Sequence, residues 1–397
     1  MSRMTNAVAS TDAPYGTADL AVMAFTHFAN HVYVQIHLAL IPVFMKDFNL
    51  SLGLVGIMVM IPILSEAITT IPAGLIADKL GYSRQIIISL GLTALAAILM
   101  TQASSVYFIV LSLSILALST TIYHPPAYGA VSQMFETRRN RALGIHGAGG
   151  TLGWALGPLS VGALIGTLGW RPVYLVWVPP TLLCMFLLMR MRFPDTKAPA
   201  MSQEAGRGLR SMFTVSFSTV LAVIAINSMG RQIVSTLMSP YIVLVRGFSV
   251  QIASFVMGSM SLAGIIAAPL GGLFADRLGE KKWLTLTFTT SVLALIGFVN
   301  VGTMEQLFLL AIVYGYLVYS GMAATAALVS YFTPTGRRGL GYALFFLPSY
   351  LVGAVAPVIA TSVAESYGML SSFTLSVMLL FGGIVLLQKV PRTRITD

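Results

Sequence analysis

The sequence predicts an all-α membrane protein in which twelve transmembrane helices form two pseudo-symmetric bundles of six. Of the 397 residues, 56% are hydrophobic and only 9% are charged, whereas about 25% of the residues in an ordinary soluble domain are charged. Apolar stretches of about 20 residues, the length that crosses a bilayer, recur from Ala18 to Gln388. A short loop motif is also repeated at half the length of the chain. This composition excludes a soluble enzyme.

Twelve segments qualify as membrane spans, and we number them 1 to 12 along the chain. The predicted ranges are 18–44, 52–76, 85–102, 106–131, 142–167, 172–190, 212–241, 249–272, 283–302, 306–330, 340–363 and 370–388. The chain is polar through Thr17, and the first apolar segment contains His27, Asn30 and His31. That segment is too long and too polar for a cleaved signal peptide, so we expect it to remain as the first helix.

The positive charges predict the orientation, because loops rich in Lys and Arg stay on the cytoplasmic side. With both termini cytoplasmic, most of the 23 Lys and Arg residues fall in cytoplasmic segments, and the outer loops keep Lys46, Arg171 and Arg246. We therefore expect a multi-pass protein of the plasma (cytoplasmic) membrane. The net charge of +10 then reflects orientation and contact with the anionic lipid bilayer, so no nucleic-acid partner is expected.

The chain contains an internal duplication. GLIADKLG begins at Gly74 and GLFADRLG begins at Gly272, and their separation of 198 residues is half of the chain. The duplication predicts an N-terminal bundle at 1–192, a cytoplasmic linker at 193–210 and a C-terminal bundle at 211–397. Two bundles of like topology are expected to face each other across a central site that opens to the two sides in turn. We expect the chain to function as a monomer.

Six spans in each half, with this Gly and Asp motif after the second span of each, resemble the major facilitator superfamily of secondary transporters. The motif implies a conformational latch, in which glycines let helix ends approach and carboxylates pair with helix N-termini or bases. The family usually has a base where this chain has Tyr82 and Glu280. The predicted latch residues are Gly74, Asp78, Lys79, Gly81, Arg84, Gly272, Asp276, Arg277 and Gly279. The alternative is a solvated tight turn.

Span 5 is unusually rich in glycine. Its pattern of Gly144, Gly153, Gly157, Pro158 and Gly162 resembles the antiporter motif of exporters in this superfamily, although Val161 replaces one glycine. Small residues allow close helix packing and proline removes a backbone hydrogen bond. The resemblance implies efflux, with Gly153, Gly157 and Pro158 as gating residues. The alternative is a packing face that has no bearing on the direction of transport.

A second resemblance lies in span 4. The sequence YHPP from Tyr123 to Pro126 is similar to the fosmidomycin-resistance branch of exporters, in which a His-Pro pair occurs in this span. Span 4 also contains no arginine, unlike the same span of many proton-coupled drug exporters. Any proton path in this chain must therefore use other groups.

Ionisable side chains are expensive inside a bilayer and are functional candidates by default. Glu66 is the carboxylate deepest in a span, and a desolvated carboxyl is suited to take up and release a proton. His27, Asn30, His31 and Gln35 have helical spacing and are expected to share one face of span 1. His27 and His31 are spaced as metal ligands, but no third ligand accompanies them in the sequence, so no metal site is predicted.

Arg231 in span 7 is the sole cation within a span, and it requires either Glu66 or an anionic substrate as a partner. His124 is expected to line the cavity where Pro125 and Pro126 interrupt the helix. Proton coupling is predicted for Glu66, His31 and His124. Substrate contact is predicted for His27, Asn30, His31, Gln35, Tyr123, His124, Asn227, Arg231, Tyr316 and Tyr319. For the histidines, asparagines and tyrosines, helix packing is the alternative.

These features together predict a proton-coupled antiporter that exports a small amphipathic or anionic compound. Its partners would be that compound, protons and the bilayer, with no cofactor. The alternative within transport is a proton-coupled uptake symporter for a small organic anion. The spans lack the paired acid and nucleophile of an intramembrane enzyme, and no pore loop indicates a channel. No phosphate-binding loop is present, so ATP coupling is not expected.

Overall fold

The structure, a computed structural model, describes residues 15–194, 213–333 and 338–391. Within these ranges it leaves out the side chains of residues 71, 73–79, 140 and 338–348. Every regular element in the described part is a helix, and eleven helices are long and apolar enough to cross a membrane. One pair of helices joined by a bend supplies a twelfth span. The predicted all-α membrane fold is confirmed.

Spans 2 to 12 begin and end within a few residues of their predicted bounds. Several of these helices are longer than the hydrocarbon core of a bilayer requires. Span 6 consists of two short helices in succession. The helices are Leu52–Leu80, Tyr82–Thr101, Val106–Met134, Arg139–Leu168, Arg171–Leu175 with Val178–Arg190, Val215–Pro240, Val250–Leu278, Glu280–Asn300, Met304–Phe332, Arg338–Tyr367 and Met369–Leu387.

Span 1 differs from its prediction as one continuous helix. It consists of three helices, Thr17–His31, Ile36–Ala39 and Ile41–Asp47, and the last is bent by 57° from the first two. Pro42 stands in the first turn of the third helix, and it has no N–H to continue the preceding hydrogen-bond ladder. The first break is a run of turns over residues 32–35. The predicted continuity of this span is therefore wrong.

The helices pack within each half of the chain and also across the two halves. In the first half, span 1 packs on span 5 and span 4 packs on spans 2 and 3. In the second half, span 7 packs on spans 11 and 12, and span 10 packs on spans 8 and 9. Two extensive contacts join the halves, between spans 2 and 11 and between spans 5 and 8. These four helices form the main contacts between the bundles in the described part of the chain.

We call the end of the bundle where Thr17, Gly81 and Gly279 lie the basic end, and the end where Asp47 and Gly53 lie the opposite end. Hydrogen bonds join the halves toward the opposite end, from the Gly53 amide to Glu365 Oε1 at 2.9 Å and from Ser239 Oγ to the Ala39 carbonyl at 2.8 Å.

Glycines bring the helices together at the same end. A side chain at Gly56 in span 2 would overlap Thr361 and the Pro357 carbonyl in span 11, and one at Gly162 in span 5 would overlap the Phe255 ring in span 8. Close packing of side chains and helix backbones from the two halves therefore closes the opposite end of the bundle.

Candidate functional site

A cavity of about 430 Å³ lies between the two halves. This volume falls in the usual range for small-molecule sites, about 300–1,000 Å³. Spans 1, 2, 4 and 5 line it from one side, and spans 7, 8, 10 and 11 line it from the other. The polar and aromatic lining residues are Gln35, His37, Glu66, Thr120, Trp154, Ser228, Arg231, Gln232, Ser235, Tyr314, Tyr319, Ser349 and Tyr350.

Among the described lining residues, Glu66 and Arg231 are the two with a formal charge, and they come from different halves. The Arg231 guanidinium donates to Ser228 Oγ at 3.4 Å and lies close to the hydroxyls of Tyr314 and Tyr319. Glu66 lies near Tyr350 of span 11. The ion pair between Glu66 and Arg231, one of the two alternatives for this arginine, is not formed in this conformation, although both side chains are described. The cavity thus presents its two charges separately.

The predicted polar face of span 1 is divided by the break after His31. Gln35 lines the cavity. Asn30 points instead to span 3, where its Nδ2 donates to Ser89 Oγ at 3.4 Å and Thr93 Oγ1 at 3.3 Å. His27 and His31 pack toward spans 4 and 5. Although their spacing is helical, the four predicted residues thus lie in three different places: the cavity, the contact with span 3, and the contact with spans 4 and 5.

The predicted aromatic and span 7 residues are also separated. Tyr319 lines the cavity, whereas Tyr316 is half-buried outside its lining. Asn227 donates to the Val223 carbonyl and packs against Gly383 of span 12. Tyr123 is fully buried, with its hydroxyl 2.7 Å from Thr26 Oγ1. Of the ten residues predicted to contact substrate, Gln35, Arg231 and Tyr319 line the cavity.

Three prominent lining residues are absent from the sequence-based set. His37 lies only two residues after Gln35, Trp154 is the aromatic residue among the glycines of span 5, and Tyr314 precedes Tyr319 by five residues on span 10. The Trp154 and Tyr319 rings meet across the cavity, with centroids 6.1 Å apart. A large aromatic side chain within a glycine-rich helix was the one sequence signal available for this contact.

Four histidines meet beside the cavity, and we call His27, His31, His124 and His146 the histidine cluster. His31 Nε2 lies 3.1 Å from His124 Nε2, and the His27 ring stacks on the His146 ring at 4.3 Å. One ligand atom from each of His27, His31 and His124 lies within 4.8 Å of the others. A third histidine, His124 of span 4, thus joins the span 1 pair, which the sequence did not indicate.

The glycines of span 5 serve two contacts. A side chain at Gly153 would lie 2.7 Å from the Phe28 carbonyl, and one at Gly157 would overlap the Val32 carbonyl, both in span 1. The helix continues without interruption through Pro158. Gly153 and Gly157 thus permit close packing within the first half in this conformation, and their gating role stays a prediction.

The two loop motifs share one backbone feature. Gly81 and Gly279 have φ angles of 79° and 83° at equivalent helix junctions, a conformation that disfavours every residue with a Cβ. The side chains of Asp276 and Arg277 are exposed, as is that of Arg84. Neither Asp276 nor Arg277 makes a hydrogen bond or ion pair within the described part of the chain. The side chains of Asp78 and Lys79 and the packing around Gly74 are not described.

The close approach expected at Gly272 occurs one residue earlier. A side chain at Gly271 would overlap the Ser320 carbonyl of span 10, whereas one at Gly272 would lie 3.8 Å from the Ala323 Cβ, which is ordinary contact. Gly264 of span 8 likewise leaves room for the Tyr319 ring. Packing of spans 8 and 10 therefore depends on Gly264 and Gly271.

Comparisons with known proteins agree with this architecture. The sequence profile of the Major Facilitator Superfamily matches residues 23–226 and 220–396. Two relatives are named Multidrug resistance protein MdtG. The one from Enterobacter lignolyticus (strain SCF1) is 25% identical over 350 residues, covering 86% of this chain and 83% of the relative. The one from Salmonella paratyphi C (strain RKS4594) is 24% identical over 349 residues, covering 86% of each chain.

Solved structures show the same fold at low identity. A bacterial homolog of the human lysosomal transporter Spinster, in an inward-facing and occupied conformation, matches with a TM-score of 0.83 and 16% identity, covering 95% of this chain and 97% of that one. The inward-facing and unoccupied form matches with a TM-score of 0.78 and 16% identity, covering 95% of each. The chain belongs to the Major Facilitator Superfamily, as a membrane transporter that resembles the drug exporters of that superfamily.

Proposed function

We propose that this transporter exports small amphipathic or anionic molecules in exchange for protons, by alternating access. The observation that carries the proposal is the cavity between the halves, in which the second half supplies Arg231 and the first half supplies Glu66. One group of each charge, on opposite walls of one chamber, can couple a bound anion to a bound proton.

Arg231 is the group suited to select the charge of the substrate. A guanidinium remains charged inside a protein and offers several donors to a carboxylate or phosphonate. Among the described residues, its surroundings are Ser228, Tyr314 and Tyr319, which supply hydroxyls and no carboxylate. Trp154 and the two tyrosines add apolar surface for the rest of the molecule. An amphipathic anion matches this combination of one cation and several rings.

Glu66 is the group suited to carry the proton. It lines the same cavity and has no cationic partner among the described residues. Its charge can therefore change during a transport cycle without breaking an ion pair. His31 and His124 contact each other rather than the cavity, so their proposed part in proton coupling is secondary to that of Glu66.

The closed end of the bundle supports alternating access. The contacts of Gly53 with Glu365 and of Ser239 with Ala39 must separate before the cavity can open at the opposite end. The distribution of Lys and Arg supports a cytoplasmic position for the basic end. We therefore treat this conformation, with the halves in contact at the opposite end, as the inward-facing state of a monomer in the cytoplasmic membrane. The latch motifs would close the basic end in the other state.

Export is supported by the names of the relatives, which are multidrug resistance proteins, and by the glycine pattern of span 5. The test is transport in inside-out proteoliposomes with an acidic lumen, using fosmidomycin as an anionic phosphonate probe. An antiporter accumulates the probe in the lumen, and a protonophore abolishes the accumulation. Loss of preloaded probe from the lumen would indicate a symporter, and accumulation insensitive to the protonophore would exclude proton coupling.

A further inference from the structure

We infer that the histidine cluster binds one first-row transition metal ion, such as Zn²⁺, through His27, His31 and His124. The site joins span 1 to span 4 and lies within the first half. The inference concerns a resident ion and is independent of the transported substrate, since none of these three histidines lines the transport cavity. It rests on the positions of the ring nitrogens, on their hydrogen bonds and on their burial.

The hydrogen bonds fix which nitrogen of two rings is free. His27 Nδ1 lies 2.8 Å from the His146 carbonyl, and His124 Nδ1 lies 2.8 Å from the Thr120 carbonyl. A carbonyl oxygen only accepts, so each Nδ1 carries the proton and each Nε2 presents a lone pair. Backbone carbonyls on Nδ1 are the usual outer partners that orient metal-binding imidazoles. Two of the three rings are thus prepared as Nε2 ligands.

The free nitrogens are buried and converge. His27 is 3% exposed and His31 is 5% exposed, and His27 Nε2 has no hydrogen-bond partner among the described residues. His31 Nε2 and His124 Nε2 are 3.1 Å apart, and since His124 Nε2 carries no proton, His31 Nε2–H donates to it. A metal ion bound to both Nε2 atoms requires the His31 proton to move to Nδ1, which has no hydrogen-bond partner among the described residues. The same ion would satisfy His27 Nε2.

The distances are close to those of a metal site. Two nitrogens bound at about 2.0–2.1 Å to a tetrahedral ion lie about 3.3 Å from each other. The pair from His31 and His124 is already close to this value at 3.1 Å, and all three ligand atoms lie within 4.8 Å of one another. Movement of up to about 1.5 Å at the His27 ring completes the triangle. Three imidazoles suit Zn²⁺, Cu²⁺ or Ni²⁺, and they leave a fourth position for water or an anion.

Tyr128 covers one side of the cluster. Its ring stacks on His124 with centroids 6.0 Å apart, and the residue is 41% exposed. It also lies near Tyr350, which lines the cavity. An ion that entered from this side would have to pass the Tyr128 ring. Trp154 separates His31 from the cavity on the other side, with ring centroids 4.9 Å apart.

The test is Zn²⁺ binding to the full chain, purified through a tag without histidine and stripped with a chelator. Competition against a chromophoric chelator should give one equivalent per chain. His31→Gln and His124→Gln should each weaken binding by more than about 100-fold, since even the loss of an outer partner costs about 10- to 100-fold. His37→Gln is the matched control, because His37 is a half-buried histidine of span 1 that lies outside the cluster, and the Zn²⁺ binding of this variant should match that of the parent.

A second measurement needs no variant. The X-ray absorption spectrum of the Zn²⁺-loaded parent should show imidazole scattering from three ligands at about 2.0 Å. No binding by the parent, equal binding by the parent and both cluster variants, or a shell of oxygen ligands without imidazole would each overturn the inference. Equal weakening in His37→Gln would also count against it, because the loss would then reflect a general change in the fold.

Discussion

The two halves of the molecule share a backbone plan and differ in the chemistry that each brings to the cavity. Glu66 in the first half corresponds, at an offset of 198 residues, to Gly264, whose missing side chain admits the Tyr319 ring. His124 corresponds in the same way to Met322, which lines the cavity. The first half carries the carboxylate and the histidines, and the second half carries the arginine with its tyrosines.

The shared features concern motion and closure. Gly81 and Gly279 adopt the same left-handed conformation at equivalent junctions. Spans 2 and 5 of the first half are equivalent to spans 8 and 11 of the second half, so the contact of span 2 with span 11 is equivalent to that of span 8 with span 5. The features that differ between the halves are the side chains available to bind a proton, a substrate or an ion. Duplication therefore supplied a symmetric frame, and divergence of a few intramembrane side chains supplied an asymmetric site.

Loss of the cation of the second half should have the largest effect on ligand binding. Arg231→Gln should weaken binding of the anionic probe fosmidomycin by about 10- to 100-fold, because a hydrogen bond to a charged group contributes about 1.5–3 kcal/mol. Binding of a neutral amphipathic drug should change by less than about threefold, since only packing is altered. Equilibrium binding to purified protein measures both.

Arg246→Gln provides the control, because Arg246 is a cation at the opposite end that packs on the Tyr241 ring outside the cavity. It should leave both affinities unchanged. Equal losses for the charged and the neutral ligand in Arg231→Gln would remove the arginine from any part in charge selection.

Two adjacent glycines test the packing of the second half. Gly271→Ala should destabilise the protein by about 1–3 kcal/mol through overlap with the Ser320 carbonyl, while Gly272→Ala should stay within about 0.5 kcal/mol. Both changes gain the same helix propensity, so the difference between them isolates the overlap. The measurement is the midpoint of thermal unfolding in detergent. A larger shift for Gly272→Ala would contradict the helix contact assigned here.

The contact between the halves at the opposite end should have the smallest effect. Glu365→Ala removes the acceptor of the Gly53 amide, and one such hydrogen bond contributes about 0.5–1.5 kcal/mol, or roughly a twofold to tenfold shift toward opening at this end. The distance between spin labels at the exposed positions Gln102 and Asn300 reports how far the two halves separate at this end. Glu305→Ala, an exposed carboxylate at the same end, is the control.

The labels can be placed selectively because the single native cysteine, Cys184, is buried. A distance distribution that is identical in the parent and in Glu365→Ala would show that this hydrogen bond does not help to close the opposite end. A shift in Glu305→Ala of the same size would point to general electrostatics instead.

The fold was predictable from the sequence because its signals are strong and local. Apolar length defines the spans, and the repeated motif defines the symmetry. The break in span 1 was missed, since Pro42 was accommodated within one long apolar segment, and the turns at 32–35 carry no glycine or proline.

The site was only partly predictable, because contacts between distant spans decide which polar residues share a chamber. Intramembrane charge identified Glu66 and Arg231, both of which line the cavity. Helical spacing placed Asn30 beside Gln35, but the break in the helix turns them to different neighbours. The meeting of His31 with His124 spans 93 residues of sequence, and no spacing rule within one helix could indicate it.

Glu66 is proposed to couple the proton to transport, and the Glu66→Gln variant tests this role most directly. This variant keeps the size and a hydrogen-bonding amide while fixing the side chain in a neutral form. In proteoliposomes, exchange of fosmidomycin without a gradient should persist, while accumulation driven by a proton gradient should fall to the level of empty vesicles. Glu305→Gln, which alters a carboxylate outside the cavity, should retain both activities. Gradient-driven accumulation by Glu66→Gln at the rate of the parent would show that Glu66 does not couple the proton to transport.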